Sequence, residues 1–246
     1  MTLATGSLLA QDAGPLAAEP SLPFGVGEEL VYRASLGRFG GQGRGVMRVE
    51  AGEVVRGRAT LLLMSDMRGR VAFFSAEDRT RSWFDPVSLR SLRFSKTERH
   101  PLSTWDESVE LFPEERRWVA NRDSGELTTD APLDELSFIY FLRTLPLEEG
   151  DSLLFARHYD PERNPTRVRV IGRETITVPA GEFETLVVEM TVRDERRYGG
   201  EGVVRLNLTD DERRLPVRIA STMRAAGTTV LSLESVTAVT GHTAQR

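Results

Sequence analysis

Apolar and polar residues alternate along most of this chain. In ELVYRASL, residues 29–36, Leu30, Tyr32, Ala34 and Leu36 fall on one side of an extended strand, with Glu29, Arg33 and Ser35 on the other. The same period of two runs through RSLRFSKTE, DESVELF, RVRVIGRETITV, EFETLVVEMTV, GVVRLNL, PVRIAST and TTVLSLESVTAV, all rich in β-branched or aromatic residues. Turn formers separate these runs at Gly40-Gly41, Asp66–Gly69, Asp85-Pro86, Asp123–Gly125, Pro179–Gly181 and Gly199-Gly200. Alternation means one face on a core and one in water, which disfavours a doubly wound parallel sheet. The expected fold is all-β, a mostly antiparallel barrel- or roll-like meander.

One segment departs from the period. In DAPLDELSFIYFLRTLPLEEGD the apolar residues Leu136, Phe138, Ile139, Tyr140, Phe141, Leu142 and Leu145 are too dense for a half-exposed strand. Asp130 and Asp134 are alternative N-caps, Pro132 suits a first turn, and Pro146 and Gly150 end the run. This predicts one short buried helix near 133–144, plugging the sheet or packing on it. The expected organisation is a leader over 1–23, a single β domain over 24–240 and a flexible tail over 241–246.

Composition narrows the function classes. A hydrophobic fraction of 39% in 246 residues suffices for a sizeable core, and a net charge of -5 leaves no basic footprint for nucleic acid. Of the 32 basic residues only Lys96 is lysine; the arginines are interleaved with 37 acids, the pattern of a solvated surface. The absence of cysteine excludes thiolate catalysis, cysteine-based zinc sites and disulfides. No stretch approaches the ~18 apolar residues of a spanning helix. The first twenty residues hold an apolar centre, Leu3–Ala10, and a small-residue cleavage context, but no basic residue precedes Arg33. They fit the tail of an export signal whose start lies upstream; an ordinary unstructured N-terminus is the alternative.

Candidate chemistry is sparse. His100, His158 and His242 are far apart and lack metal-ligand spacing, so they read as structural. GGQGRG (Gly40–Gly45) lacks the phosphate-loop ending and leads into a strand, which makes it a hairpin connection. No G-x-S-x-G elbow is present. Asp210 and Asp211 are adjacent, and adjacent strand residues point to opposite faces, so a glycosidase-type acid pair is disfavoured. With Thr209 before them and Pro216 after, they fit a hairpin corner. No metal, cofactor or catalytic residue is indicated.

Four motifs in order resemble a bacterial envelope family known as domain of unknown function 3108. They are Gly27–Tyr32; Asp134–Ser137 leading to Tyr140, Arg143 and Gly150-Asp151; Pro179–Phe183; and Thr209–Asp211 followed by Arg214, Pro216 and Val217. Glu135 departs from the family's proline after the capping aspartate. The resemblance implies a curled antiparallel barrel or roll with one short helix in exported, periplasmic proteins, and implies no activity. Family pattern and polar chemistry coincide at Tyr140, Arg143, Asp210, Asp211 and Arg214. The expectation is a structural polar cluster in which Arg143 ties the helix to the hairpin aspartates.

The leading functional reading is a non-enzymatic envelope protein whose barrel holds a small apolar, lipid-like ligand or docks an envelope partner. Trp83, Phe84, Trp105 and Trp118 could line such a site or belong to the core. The alternatives are a carboxylate-dependent hydrolase of envelope glycan or lipid and a structural partner that binds by strand addition.

Overall fold

Short alternating runs separated by turn formers can bury one face only by pairing with their neighbours and curling round it. The computed structural model describes residues 22–37, 40–71, 73–101, 103–223 and 227–237. The leader before residue 22, His242 and the expected tail lie outside them. Among the described residues the chain forms β1 (Glu29–Leu36), β2 (Gly41–Ala51), β3 (Leu61–Val71), β4 (Phe74–Asp85), β5 (Arg90–His100), β6 (Ser103–Phe112), β7 (Arg117–Ala120) and β8 (Ser124–Glu126). After helix α1 (Glu135–Arg143) come β9 (Ser152–Phe155), β10 (Thr166–Val178), β11 (Gly181–Asp194), the single-turn α2 (Glu195–Tyr198), β12 (Gly200–Thr209), β13 (Pro216–Met223) and β14 (Gly227–Thr237).

All fourteen strands belong to one antiparallel sheet in the order β8-β7-β6-β5-β4-β3-β2-β1-β14-β13-β12-β11-β10-β9. Every neighbour pair is a sequence neighbour except β1 with β14, which joins two meanders into one wall. Register shifts at Val31/Tyr32, Trp83/Phe84, Val170/Gly172 and Asn207/Leu208 bend the strands, as bulges do, and help the sheet to curl. The free edges, β8 and β9, flank α1 in sequence. The lead-in to α1 spans the seam: Ser91 N–H donates to Pro132 O (2.8 Å), Leu133 N–H to Arg157 O (2.6 Å) and Tyr159 N–H to Leu133 O (3.0 Å).

The fold is thus all-β and barrel-like, with α1 inside the curl. Asp134 is the cap: its Oδ1 accepts from the N–H groups of Leu136 and Ser137, and Ser137 Oγ accepts from Asp134 N–H. Its other oxygen accepts from Ser82 and Ser91 on the wall, at 2.6 and 2.8 Å. The helix therefore starts at a fixed point of β4 and β5. Burial raises the Asp134 carboxyl, against the lowering effect of these hydrogen bonds. The main core packs Tyr140 and Leu142 with the inner rows of β1, β2 and β10–β14; a second cluster of Phe94, Val109, Leu111, Trp118, Leu127 and Tyr159 lies under β5–β7.

One expected turn is absent. Asp66–Gly69 lies inside β3, which runs on to Val71 and pairs there with Phe74 of β4. Asp66 takes a strand position and accepts from Arg81 (2.7 Å). Gly69 is paired with Gly43 of β2, and a Cβ there would meet Leu36 Cδ1 at 2.4 Å. Its role is close approach.

Candidate functional site

The strand ends divide into two rims. At one rim α1 ends and the barrel is filled. Arg143, its side chain 0% exposed, donates to both oxygens of Glu28 (2.7 and 2.8 Å), to Pro23 O (3.0 Å) and to Arg213 O (3.1 Å). The rings of Phe24 and Tyr140 flank the guanidinium at 5.2 and 5.4 Å. This corrects the expected tie to the aspartates. Asp210 and Asp211 sit at the connection of β12 and β13: Asp211 accepts from Thr209, Arg213 and the N–H of Arg214, while Asp210 accepts from Arg173 and Arg214. Their oxygens are engaged outside. Arg143 approaches from within and reaches only the backbone of that hairpin. Burial raises the hydroxyl pKa of Tyr140, and its oxygen has no hydrogen-bond partner among the described residues.

At the opposite rim the barrel is hollow. A cavity of about 400 Å³ lies between the other face of α1 and the inner rows of β1–β5 and β11–β14. Its apolar wall carries Leu136, Phe138 and Ile139 of α1 with Met47, Met67, Met190, Val204, Ile219 and Leu231 of the sheet. Three of the chain's six methionines are here, and their unbranched thioethers adapt to differently shaped apolar partners. None of Trp83, Phe84, Trp105 and Trp118, read from the sequence as either lining or core, lines this cavity. Phe84 is in the core, half-buried Trp83 stacks under Arg93 outside, and Trp105 and Trp118 line a second cleft.

The remaining side of the cavity is polar, and the strand phase explains why. In β5 the inward row begins with Leu92 and Phe94 and continues with Lys96 and Glu98, so two charges occupy positions that alternation assigns to the core. Lys96, the chain's one lysine, bridges Glu98 (3.2 Å) and Glu135, the first residue of α1. Arg196 of α2 binds the other oxygen of Glu98 at 2.6 Å. Arg163 links Glu135 (3.5 Å) to Asp194 (3.2 Å). Three cations and three carboxylates thereby join β5, α1, the β9–β10 connection and α2. Buried charges persist only when paired in this way. Burial alone would raise Glu98, but the Arg196 hydrogen bond and the charges of Lys96 and Arg196 hold it down at about 2. Glu135 is likewise held well below its ordinary value, burial being outweighed by Lys96 and Arg163. A general acid would require the opposite shift.

Behind this network lies the second cleft, about 740 Å³, lined by Trp105, Trp118, Tyr159 and charged residues; Arg163, Arg193 and Asp194 border both spaces. Arg196 and Arg122 cover the Trp105 ring at 4.7 and 5.6 Å. His158, on the cavity wall, accepts at Nδ1 from the N–H of Asp160 (3.1 Å), so its ring hydrogen is on Nε2. Burial, then the charge of Arg163, pushes its pKa down to about 3, and the imidazole is neutral. Sequence reasoning missed Glu28 as the partner of Arg143, and Lys96 and Glu98 as members of the ion network; for the latter two the available signal was charge in the apolar phase of β5. Among the described residues no cluster fits a metal ion, and no helix is long and apolar enough to cross a membrane.

The chain belongs to the family of proteins of unknown function DUF3108, whose pattern matches residues 31–234. It is similar in fold to a β-barrel-like protein of domain of unknown function DUF1849 from Brucella abortus, at 10% identity and a TM-score of 0.57 over 88% of this chain and 99% of that one. A proposed lipoprotein of Parabacteroides distasonis (11% identity) and a proposed exported protein with a YmcC-like fold from Bacteroides fragilis (14%) align over 88% of this chain and 98% of theirs. Both have a TM-score of 0.34, too low to carry an argument. No curated protein matches.

Proposed function

We propose that this DUF3108 member is a non-enzymatic binding protein of the bacterial envelope that holds an apolar, lipid-like ligand in the hollow half of its barrel. The observation that carries the reading is the contrast between the two rims: one filled by α1, the other a methionine-rich cavity of about 400 Å³. Small-molecule sites span roughly 300–1,000 Å³ and are mostly apolar with a few placed polar groups, which this cavity matches. The carboxylates beside it are engaged in ion pairs or in the helix cap, which favours binding over hydrolysis. An exported location agrees with the apolar, small-residue start of the sequence.

The test is native mass spectrometry of the protein purified from bacterial cells without detergent. An adduct of lipid mass is expected, and Val204→Trp, which fills the cavity from β12, should remove it while leaving the circular dichroism spectrum intact. Adduct-free wild-type protein that also takes up no added long-chain amphiphile would overturn the reading.

A further inference from the structure

We propose that the cavity selects a single-chain amphiphile carrying one negative charge, and that Arg197 and His158 receive its head. The inference rests on the apolar-ligand reading above and deepens it.

Four cations line the cavity, Lys96, Arg163, Arg193 and Arg197, beside three carboxylates, Asp78, Glu135 and Asp194. Lys96 and Arg163 are held in the ion network, and Arg193 pairs outward with Glu201 at 3.4 Å. Arg197 makes neither an ion pair nor a guanidinium hydrogen bond among the described residues. Its guanidinium lies 6.0 Å from the centroid of the adjacent Tyr198 ring. Arg197 is exposed to solvent and also borders the cavity. A guanidinium is built for two-point binding of an anion, and an unpaired one at that border favours a ligand whose charged head stays near water.

His158 contributes the second donor. Its Nε2–H is buried and without a partner among the described residues, and the residue borders the same cavity. Arg197 and His158 both lie within electrostatic reach of Glu135, so both belong to the polar side. An unsatisfied buried donor costs free energy that an acceptor on the ligand recovers. A carboxylate head offers acceptors to both groups and gives the Arg197 guanidinium an ion-pair partner. The tail then lies along Met47, Met190 and Leu231. A cavity at the low end of the usual range suits one chain and not a multi-acyl lipid.

Oleate and oleyl alcohol, matched in chain and different in head charge, discriminate the claim when each displaces a neutral fluorophore such as 1-aminoanthracene at pH 7.5. Wild-type protein should prefer oleate by about tenfold or more, the range of one charge-assisted hydrogen bond. Arg197→Gln should abolish the preference by weakening oleate alone, and Arg197→Lys should restore part of it. Equal binding of both amphiphiles by wild type, or a preference unchanged in Arg197→Gln, overturns the head-group assignment and leaves the cavity reading intact. Binding of neither amphiphile defeats the cavity reading, and this proposal with it.

Discussion

Arg143 of α1 and Glu28, just ahead of β1, meet through two hydrogen bonds of 2.7 and 2.8 Å with their side chains 0% and 4% exposed. The two residues are 115 positions apart. This pair fixes the end of the helix to the start of the sheet. Removing one partner of such a pair leaves an uncompensated buried charge, at about 3–5 kcal/mol. Glu28→Gln and Arg143→Met should each cost about that much in urea unfolding. The double variant should cost far less than the sum, and simple additivity would refute the coupling. Asp211→Ala loses only corner hydrogen bonds, about 1 kcal/mol, and its effect should add to that of Arg143→Met.

Much of this fold is visible in the sequence because strand phase is a local property. Leu30, Tyr32 and Ala34 are inside, as their alternation requires, and Asp134 caps the helix. The misplaced turn at Asp66–Gly69 shows the limit. Glycine marks both turns and close backbone approach, and only the opposing Gly43 distinguishes the two. Pairing of β1 with β14 joins segments about 200 residues apart, which no local pattern encodes. The cavity is hidden for a related reason: Met190 and Val204 alternate in the same way whether the space they face is filled or empty.

Gly43 supplies a direct check of the close approach. A Cβ there would lie 2.4 Å from Arg68 O, a backbone atom that cannot move aside alone. Gly43→Ala should therefore destabilise by about 1–3 kcal/mol through strain. Gly52 offers a different crowding, with Thr60 Oγ1 at 2.3 Å. Thermal unfolding of Gly43→Ala at an unchanged midpoint would show that β2 and β3 are not held this close.

The ion network predicts acid sensitivity. Glu98 titrates at about 2 in the folded protein against an ordinary 4.5, so between these values the unfolded chain binds the additional proton. Its contribution is present above pH 4.5 and is lost as the pH falls toward 2. Glu135 acts in the same direction. Stability measured by urea unfolding should fall across that window, and Glu98→Gln should flatten the fall while lowering stability at pH 7. A profile identical to wild type in that variant would remove Glu98 from the network.

His158 gives a second window, which overlaps that of Glu98 only at its acid end. Its folded pKa is about 3 against 6.5 in the unfolded chain, so the unfolded state again binds the extra proton, here between those values. Stability linked to His158 is complete above pH 6.5 and declines below it. His158→Gln should remove the part of the slope between pH 6.5 and 4.5, where Glu98 does not yet titrate. Nuclear magnetic resonance should find the His158 ring uncharged at pH 5; a ring protonated there would contradict the burial that sets its role.

The two faces of α1 provide the last comparison. Leu142 is fully buried in the filled half, where neighbouring side chains pack on it, whereas Ile139 borders the hollow half. Truncating a packed side chain loses its transfer energy and opens a cavity, about 2–5 kcal/mol for Leu→Ala. At the border of an existing space much of the second contribution is absent, because fewer partner atoms were in contact to begin with. Leu142→Ala should therefore destabilise clearly more than Ile139→Ala, although each loses a four-carbon side chain to a methyl. Ile139→Ala should also enlarge the ligand space and shift binding toward bulkier chains. Equal losses from the two substitutions would mean that both faces of the helix are packed alike, and that the barrel has no empty half for a ligand to enter.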